Sequence, residues 1–159
     1  MNKQFILMRD VITKHHPAFT ASADLVSYGM ANPEIFNCER LIEESLAHVG
    51  GYEFVDQAGY DFTDYSDSKT TTVAEYDCVM AIGSVESKVG ALRVTIYNPH
   101  KQALDYMYMP YRKWQQLKEC SYGKSEHKER LRVRWNSRHD HYNSFEEFRL
   151  DSFADLARK

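Results

Sequence analysis

The chain holds 159 residues, 43% hydrophobic, 13% aromatic and 27% charged, with a formal net charge of −3. That composition suits one globular domain; it is too apolar for intrinsic disorder, and 7 Gly and 4 Pro exclude a collagen-like or low-complexity chain. No apolar run approaches the roughly 20 residues of a membrane-spanning helix, and MNKQFILMRD lacks the long apolar stretch and cleavage site of a secretory signal, so a cytoplasmic protein with no membrane partner is expected.

In chain order, Phe5, Ile6, Met8, Val11 and Ile12 predict a helix over Lys3 to Lys14, closed by Pro17. Residues 21 to 36 hold at most a short helix around Ala23 to Tyr28 and a turn at Asn32-Pro33. Glu39 to Val49 reads as a stronger helix, with Asn37 as N-cap, an apolar stripe at Ile42, Leu46 and Val49, and Gly50-Gly51 as the stop. The texture then changes to β-branched and aromatic runs. Tyr52 to Val55, Lys69 to Val73, Cys78 to Ile82, Leu92 to Tyr97 and Asp105 to Met109 are expected as strands of one sheet.

Pro110 breaks the pattern, and Tyr111 to Cys120 has helical composition, with Trp114 and Leu117 on one side. Arg130 to Trp135 alternates as a strand, and the tail from Ser144 reads as a helix opened by a Ser144/Glu147 capping box, with Phe145, Phe148 and Phe153 as apolar anchors. No repeat or linker divides the chain. The expectation is one domain over 1–159 with a mixed α/β or α+β fold, a central β-sheet flanked by helices. It comprises N-terminal helices over 1–50, a sheet region over 51–110 and a basic C-terminal region over 111–159. Cys38, Cys78 and Cys120 are odd in number, widely spaced and in no CxxC, which fits reduced thiols in a cytosol.

Charge is unevenly spread. Residues 1–100 hold 7 Lys+Arg against 14 Asp+Glu, whereas residues 101–159 hold 13 against 9, so an acidic part able to hold cations precedes a basic part able to hold phosphates. Between Arg40 and Lys88 the only Lys or Arg is Lys69, which follows Glu53, Asp56, Asp61, Asp64 and Asp67. Carboxylates brought close together need a metal ion, a proton or separation to relieve their repulsion. On a strand, Asp67 and Lys69 project to the same face, and a hairpin brings Asp61 alongside. Two such carboxylates suit Mg²⁺, with Mn²⁺ as an alternative. Lys69 is then placed to orient a water or steady charge on a phosphate.

The residues Leu41-Ile42-Glu43, Asp61-Phe62 and Asp67-Ser68-Lys69-Thr70 resemble the PD-(D/E)xK nucleases, which include many type II restriction endonucleases. The layout is most similar to that of the mismatch-repair nicking endonuclease and its restriction-enzyme relatives, over roughly residues 39 to 73. The resemblance implies a restriction-endonuclease-like fold and a Mg²⁺-dependent DNA endonuclease that hydrolyses phosphodiesters with metal-activated water. It implies Asp61 and Asp67 as metal ligands, Lys69 at the water, and Glu43 as a helix carboxylate assisting the metal or the lysine. No proline precedes Asp61, and the second acid is Asp rather than Glu. A restriction enzyme of this size would act on double-stranded DNA as a homodimer, one copy per strand, whereas a nickase acts as a monomer. A competing reading is a non-enzymatic nucleic-acid- or protein-binding module of phage or regulatory type.

Asp77, Glu86 and Lys88 form a rival motif, but VESKVG reads as a hairpin turn that would leave the latter two in solvent. His15-His16 and His139-x-His141 lack the surrounding spacing of a metal site. For DNA contact, Arg130, Arg132 and Arg134 share one strand face and join Arg138, Lys124 and Lys128 in a basic patch, and Arg112, Lys113 and Trp114 form a second, basic-aromatic cluster. Asn98, His100, Lys101 and Gln102 lie between two predicted strands, where Asn, Gln and Lys are base-reading residue types.

Overall fold

The computed structural model describes residues 38–57, 59–72, 77–83, 90–98, 103–110, 121–125, 128–134 and 145–159. Helix α1 (Cys38–Gly50) forms where the stripe predicted it. Leu41, Ile42, Ser45, Leu46 and Ala47 are buried along one face, while Arg40 and Glu44 on the outer side form an i,i+4 ion pair at 2.9 Å. The amides of Gly51 and Tyr52 both donate to the Ala47 carbonyl, at 2.9 and 3.2 Å, and Gly51 adopts φ +78°, the left-handed conformation that ends a helix most cheaply at glycine.

Strands β1 (Phe54–Gln57) and β2 (Tyr60–Phe62) form a small antiparallel pair. A four-stranded mixed sheet follows from β3 (Asp67–Thr72), β5 (Leu92–Asn98), β6 (Ala103–Met109) and β9 (Arg149–Leu150), in the order β3-β5-β6-β9. The β3–β5 pair is parallel, with Asp67 opposite Leu92 and Lys69 opposite Val94, and the other two pairs are antiparallel. A third, antiparallel sheet joins β4 (Asp77–Gly83), β8 (Lys128–Arg134) and β7 (Ser121–Ser125) in the order β4-β8-β7. The architecture is therefore mixed α+β. The strands expected in one sheet are shared among three, because period-2 patterning marks a strand without naming its pairing partner.

The C-terminal tail departs from the single predicted helix. It breaks into α2 (Phe145–Phe148), strand β9 and α3 (Phe153–Arg158). Two competing interactions explain the break: Arg149 and Leu150 pair with Met107 and Tyr106 at the edge of β6, and Ser152, extended at φ −145°, caps α3 by accepting from the Asp155 amide at 3.0 Å. Ser144, the expected cap, lies outside the described residues, as do the predicted segments Lys3–Lys14, 21–36 and Tyr111–Cys120 and the cap Asn37.

Alternation along β5 and β6 divides their side chains between two buried faces. Tyr97, Leu104 and Tyr106 pack with Leu41, Ile42, Leu46 and Ala47 of α1, with Phe62, and with Phe153, Leu156 and Ala157 of α3. On the other face Leu92, Val94, Ile96, Met107 and Met109 are fully buried. Every residue of β5 is buried, as befits an interior strand covered on both sides. Strand β3, which carries the candidate motif, lies at the sheet edge beside it. Among the described residues no helix is long and apolar enough to cross a membrane.

Candidate functional site

The site grows out of the turn between β2 and β3. Phe62 is wholly buried against Tyr52 and Phe54, with ring centroids 5.0 and 6.1 Å away, and anchors the end of β2. The chain then reverses. The Tyr65 amide donates to the Phe62 carbonyl at 2.9 Å, and the Asp64 carboxylate accepts from the Ser66 amide at 2.9 Å and from the Ser66 hydroxyl. This is the local side-chain bonding that makes Asp a turn former. The Ser66 carbonyl accepts from the amides of both Asp61 and Phe62, at 3.0 and 3.2 Å, so the two arms of the turn are stitched together. The Asp67 amide donates to the Ala91 carbonyl at 2.9 Å, tying the start of β3 to the start of β5.

This geometry brings Asp61 and Asp67 together. Asp61 is 9% exposed and Asp67 4%, their side chains share a hydrogen bond, and Asp61 Oδ2 also accepts from the Ser68 amide at 2.8 Å. Lys69 Nζ lies 3.0 Å from Asp67 Oδ2. Burial pushes the Asp61 carboxyl up to about 7, and the hydrogen bond and charge of Asp67 add to that, against the opposing Ser68 amide and Lys69. Glu43, on the adjacent α1, is also raised to about 7, by burial first and then by the charge of Asp61. Two carboxyls poised near neutrality beside a third and a lysine can exchange a proton for a cation over a narrow pH range. Among the described residues no group of three or more His, Cys, Asp or Glu side chains is placed to hold a metal ion by itself. The carboxyls that meet are thus the Asp61–Asp67 pair, with Glu43 felt through its charge.

Asp61, Asp67 and Lys69 come together through the i, i+2 spacing and the turn, and Glu43 is linked to them by the charge of Asp61. The rival motif is only partly described: Asp77 begins β4, opposite Arg134 of β8, while Glu86 and Lys88 lie outside the described residues. Arg130, Arg132 and Arg134 fall on β8, in register with Ala81, Val79 and Asp77. Asn98 is not in a loop. It is the last residue of β5, opposite Ala103, and at 2% exposure is withdrawn from any groove surface. His100, Lys101, Gln102, Arg112, Lys113 and Arg138 lie outside the described residues, as do His15, His16, His139 and His141.

Arg93 was missed in the sequence because it sits in an apolar strand with nothing local to mark it. Buried at 2% exposure, it donates from Nε to Ser66 Oγ at 3.0 Å, from Nη2 to Asp64 Oδ2 at 2.7 Å and from Nη1 to the Leu156 carbonyl. Its guanidinium also lies 4.9 Å from the Tyr52 ring centroid and 5.2 Å from that of Tyr108. Burial works against ionisation of Asp64, but the hydrogen bonds from Ser66 and Arg93 outweigh it and hold this carboxyl below its usual range. Arg93 therefore braces the turn that sets Asp61 against Asp67.

Fold and site together define an α+β domain with a buried carboxylate pair and a lysine at a sheet edge. No protein-family model matches the chain, and no curated protein matches it.

Proposed function

We propose that this protein is a Mg²⁺-dependent DNA endonuclease of the PD-(D/E)xK type, with a restriction-endonuclease-like fold. The observation that carries the proposal is the meeting of Asp61, Asp67 and Lys69, with Lys69 Nζ 3.0 Å from Asp67 Oδ2 and Asp61 hydrogen-bonded to Asp67, beside a Glu43 that feels the charge of Asp61. A pair of buried carboxylates whose repulsion a cation can relieve is a donor set suited to a hard divalent ion, whose remaining positions water and a substrate phosphate can fill. Mg²⁺ bound there would supply Lewis-acid polarisation of the phosphate and lower the pKa of a water.

The chain's own groups would do the rest. Asp61 and Asp67, once deprotonated, would hold the cation in a desolvated place with Glu43 adding negative charge, and the Lys69 ammonium, fixed by Asp67, would steady the hydroxide left when a water loses its proton. Attack of that water on phosphorus breaks one P–O ester bond, and the products are a phosphomonoester and an alcohol. The acidic first part of the chain and the basic last part suit a cation and a phosphate backbone respectively. In this reading double-strand cutting requires a homodimer on double-stranded DNA, in the cytoplasm.

The test is Mg²⁺-dependent cleavage of DNA of high sequence complexity by the wild type, Asp67→Ala, Lys69→Ala and Glu86→Ala, with folding checked by circular dichroism. Loss of cleavage in folded Asp67→Ala and Lys69→Ala supports the reading. Normal cleavage by both, with an inactive Glu86→Ala, moves the site to the rival motif. Binding of DNA without cleavage in Mg²⁺ or Mn²⁺ favours a binding module.

A further inference from the structure

Helix α3 is too short to stand by itself. Its six residues fall well below the length at which an isolated helix holds in water, so what keeps it is the burial of Phe153, Leu156 and Ala157 and the Ser152 cap. Phe153 meets the Tyr106 ring edge to face, with centroids 5.8 Å apart, and all three side chains join the core that α1 shares. The last carbonyls of a helix have no partner within it. In α3 two of them meet the supports of the carboxylate pair. The Leu156 carbonyl accepts from Arg93 Nη1, and the Ala157 carbonyl lies so close to the end of α1 that a Cβ at Gly50 would stand 2.4 Å from its oxygen.

Arg93 is thus shared between the tail and the turn. Its Nε and Nη2 donate to Ser66 and Asp64, and the Ser66 carbonyl in turn holds the Asp61 and Phe62 amides. A guanidinium is a planar fork that moves as one body, so a shift at Nη1 is felt at Nε and Nη2. Gly90 closes on the turn from its other side, where a Cβ would stand 2.0 Å from the Tyr65 carbonyl oxygen, and leaves little room to absorb that shift. We infer that α3 is a positioning element of the site. Docked, it fixes Arg93 through the Leu156 carbonyl, and Arg93 sets the turn that holds Asp61 against Asp67. Tail and turn therefore open together, and whatever draws α3 off the core loosens the pair. Coupling between two sites is reciprocal, so a cation bound at the pair also holds α3 down. The cation's part rests on the nuclease reading; the coupling of tail to turn does not.

Amide hydrogen exchange of the full chain, followed residue by residue by NMR at neutral pH, tests this in EDTA and in Mg²⁺. Ser152→Ala weakens α3 at its N-terminal end and leaves Arg93 and its acceptors in place. Ala103→Gly, at the opposite end of the sheet from Asp67, is a control of similar cost. In EDTA, Ser152→Ala is expected to speed exchange about fivefold at Asp155 to Arg158 and also at Asp61, Phe62, Asp67 and Ser68, whereas Ala103→Gly speeds neither set. In the wild type, Mg²⁺ at about ten times its dissociation constant slows exchange at Asp155 to Arg158 about tenfold. In Arg93→Met it slows the turn and not α3. Faster exchange confined to α3 in Ser152→Ala, or equal acceleration of the turn by Ala103→Gly, would overturn the inference while leaving the endonuclease standing. So would Mg²⁺ that slows the wild-type turn and not α3. Mg²⁺ that slows no amide would overturn the metal site of the nuclease reading, and the EDTA comparison then decides the coupling by itself.

Discussion

Replacing Arg93 by methionine keeps most of its aliphatic volume but removes the guanidinium that braces the carboxylate turn. The Ser66 hydroxyl and the Leu156 carbonyl lose their donor, and Asp64 loses its ion pair. Each buried acceptor stripped of a donor costs about 1–3 kcal/mol, and an ion pair whose carboxylate is partly in solvent is worth about 1 kcal/mol. The Asp64 side chain is 36% exposed and regains water, and the three bonds share one cation, so the low ends of these ranges apply. With the two ring contacts, each about 0.5–1 kcal/mol, the expected loss is about 4 kcal/mol. For a chain of this length that lowers Tm by roughly 8–16 °C. Urea denaturation at pH 7, followed by far-UV circular dichroism, measures it. Asp64→Asn should cost less, about 1–2 kcal/mol, and the Arg93/Asp64 double-mutant cycle should return a coupling of about 1–3 kcal/mol. A loss below about 1 kcal/mol in Arg93→Met, or no coupling, would refute the claim that this arginine holds the turn.

The pH dependence of stability follows from Asp61 and Glu43, both raised to about 7 in the folded chain. Between about pH 4 and pH 7 the folded state keeps protons that the unfolded state has released, so the stability these groups lend is full below about pH 4 and is lost as pH rises through about 7. Asp61→Asn should therefore gain stability relative to the wild type between pH 5 and pH 8; a constant difference across that range speaks against the raised carboxyl. Mg²⁺ competes with those protons, so a thermal shift titration should find a larger Mg²⁺-dependent rise in Tm at pH 8 than at pH 5.5, and equal shifts would contradict binding at this pair. Gly50→Ala places a Cβ 2.4 Å from the Ala157 carbonyl oxygen and 2.1 Å from Tyr52 Cε1, so thermal unfolding should show a loss of about 2–3 kcal/mol. Ser152→Ala removes the cap of α3 and should cost about 1 kcal/mol in the same assay.

What the sequence determined by itself is local. The stripe at Ile42, Leu46 and Val49 with Gly50-Gly51 behind it dictates α1, because helix period and a left-handed stop are written in neighbouring residues. Asp67 and Lys69 share a strand face for the same reason, and a short turn after Asp61-Phe62 leaves little freedom over where Asp61 lands. The candidate site was legible because its parts are close in the chain.

Long-range pairing was left to the tertiary structure. Strand β3 lies parallel to β5, not in one sheet with β4, and Arg149-Leu150 takes the edge of β6 although its residues read as helix. Such choices depend on which distant edge is free to pair and on the apolar area buried in doing so. Arg93 shows the limit most clearly. Nothing in LRVTIY marks it, because its partners are Asp64, Ser66 and the Leu156 carbonyl, brought to it only when sheet, turn and C-terminal helix close on one another. Motif chemistry is set by spacing along the chain, whereas the precision of the site is set by buried groups that meet only once it has folded.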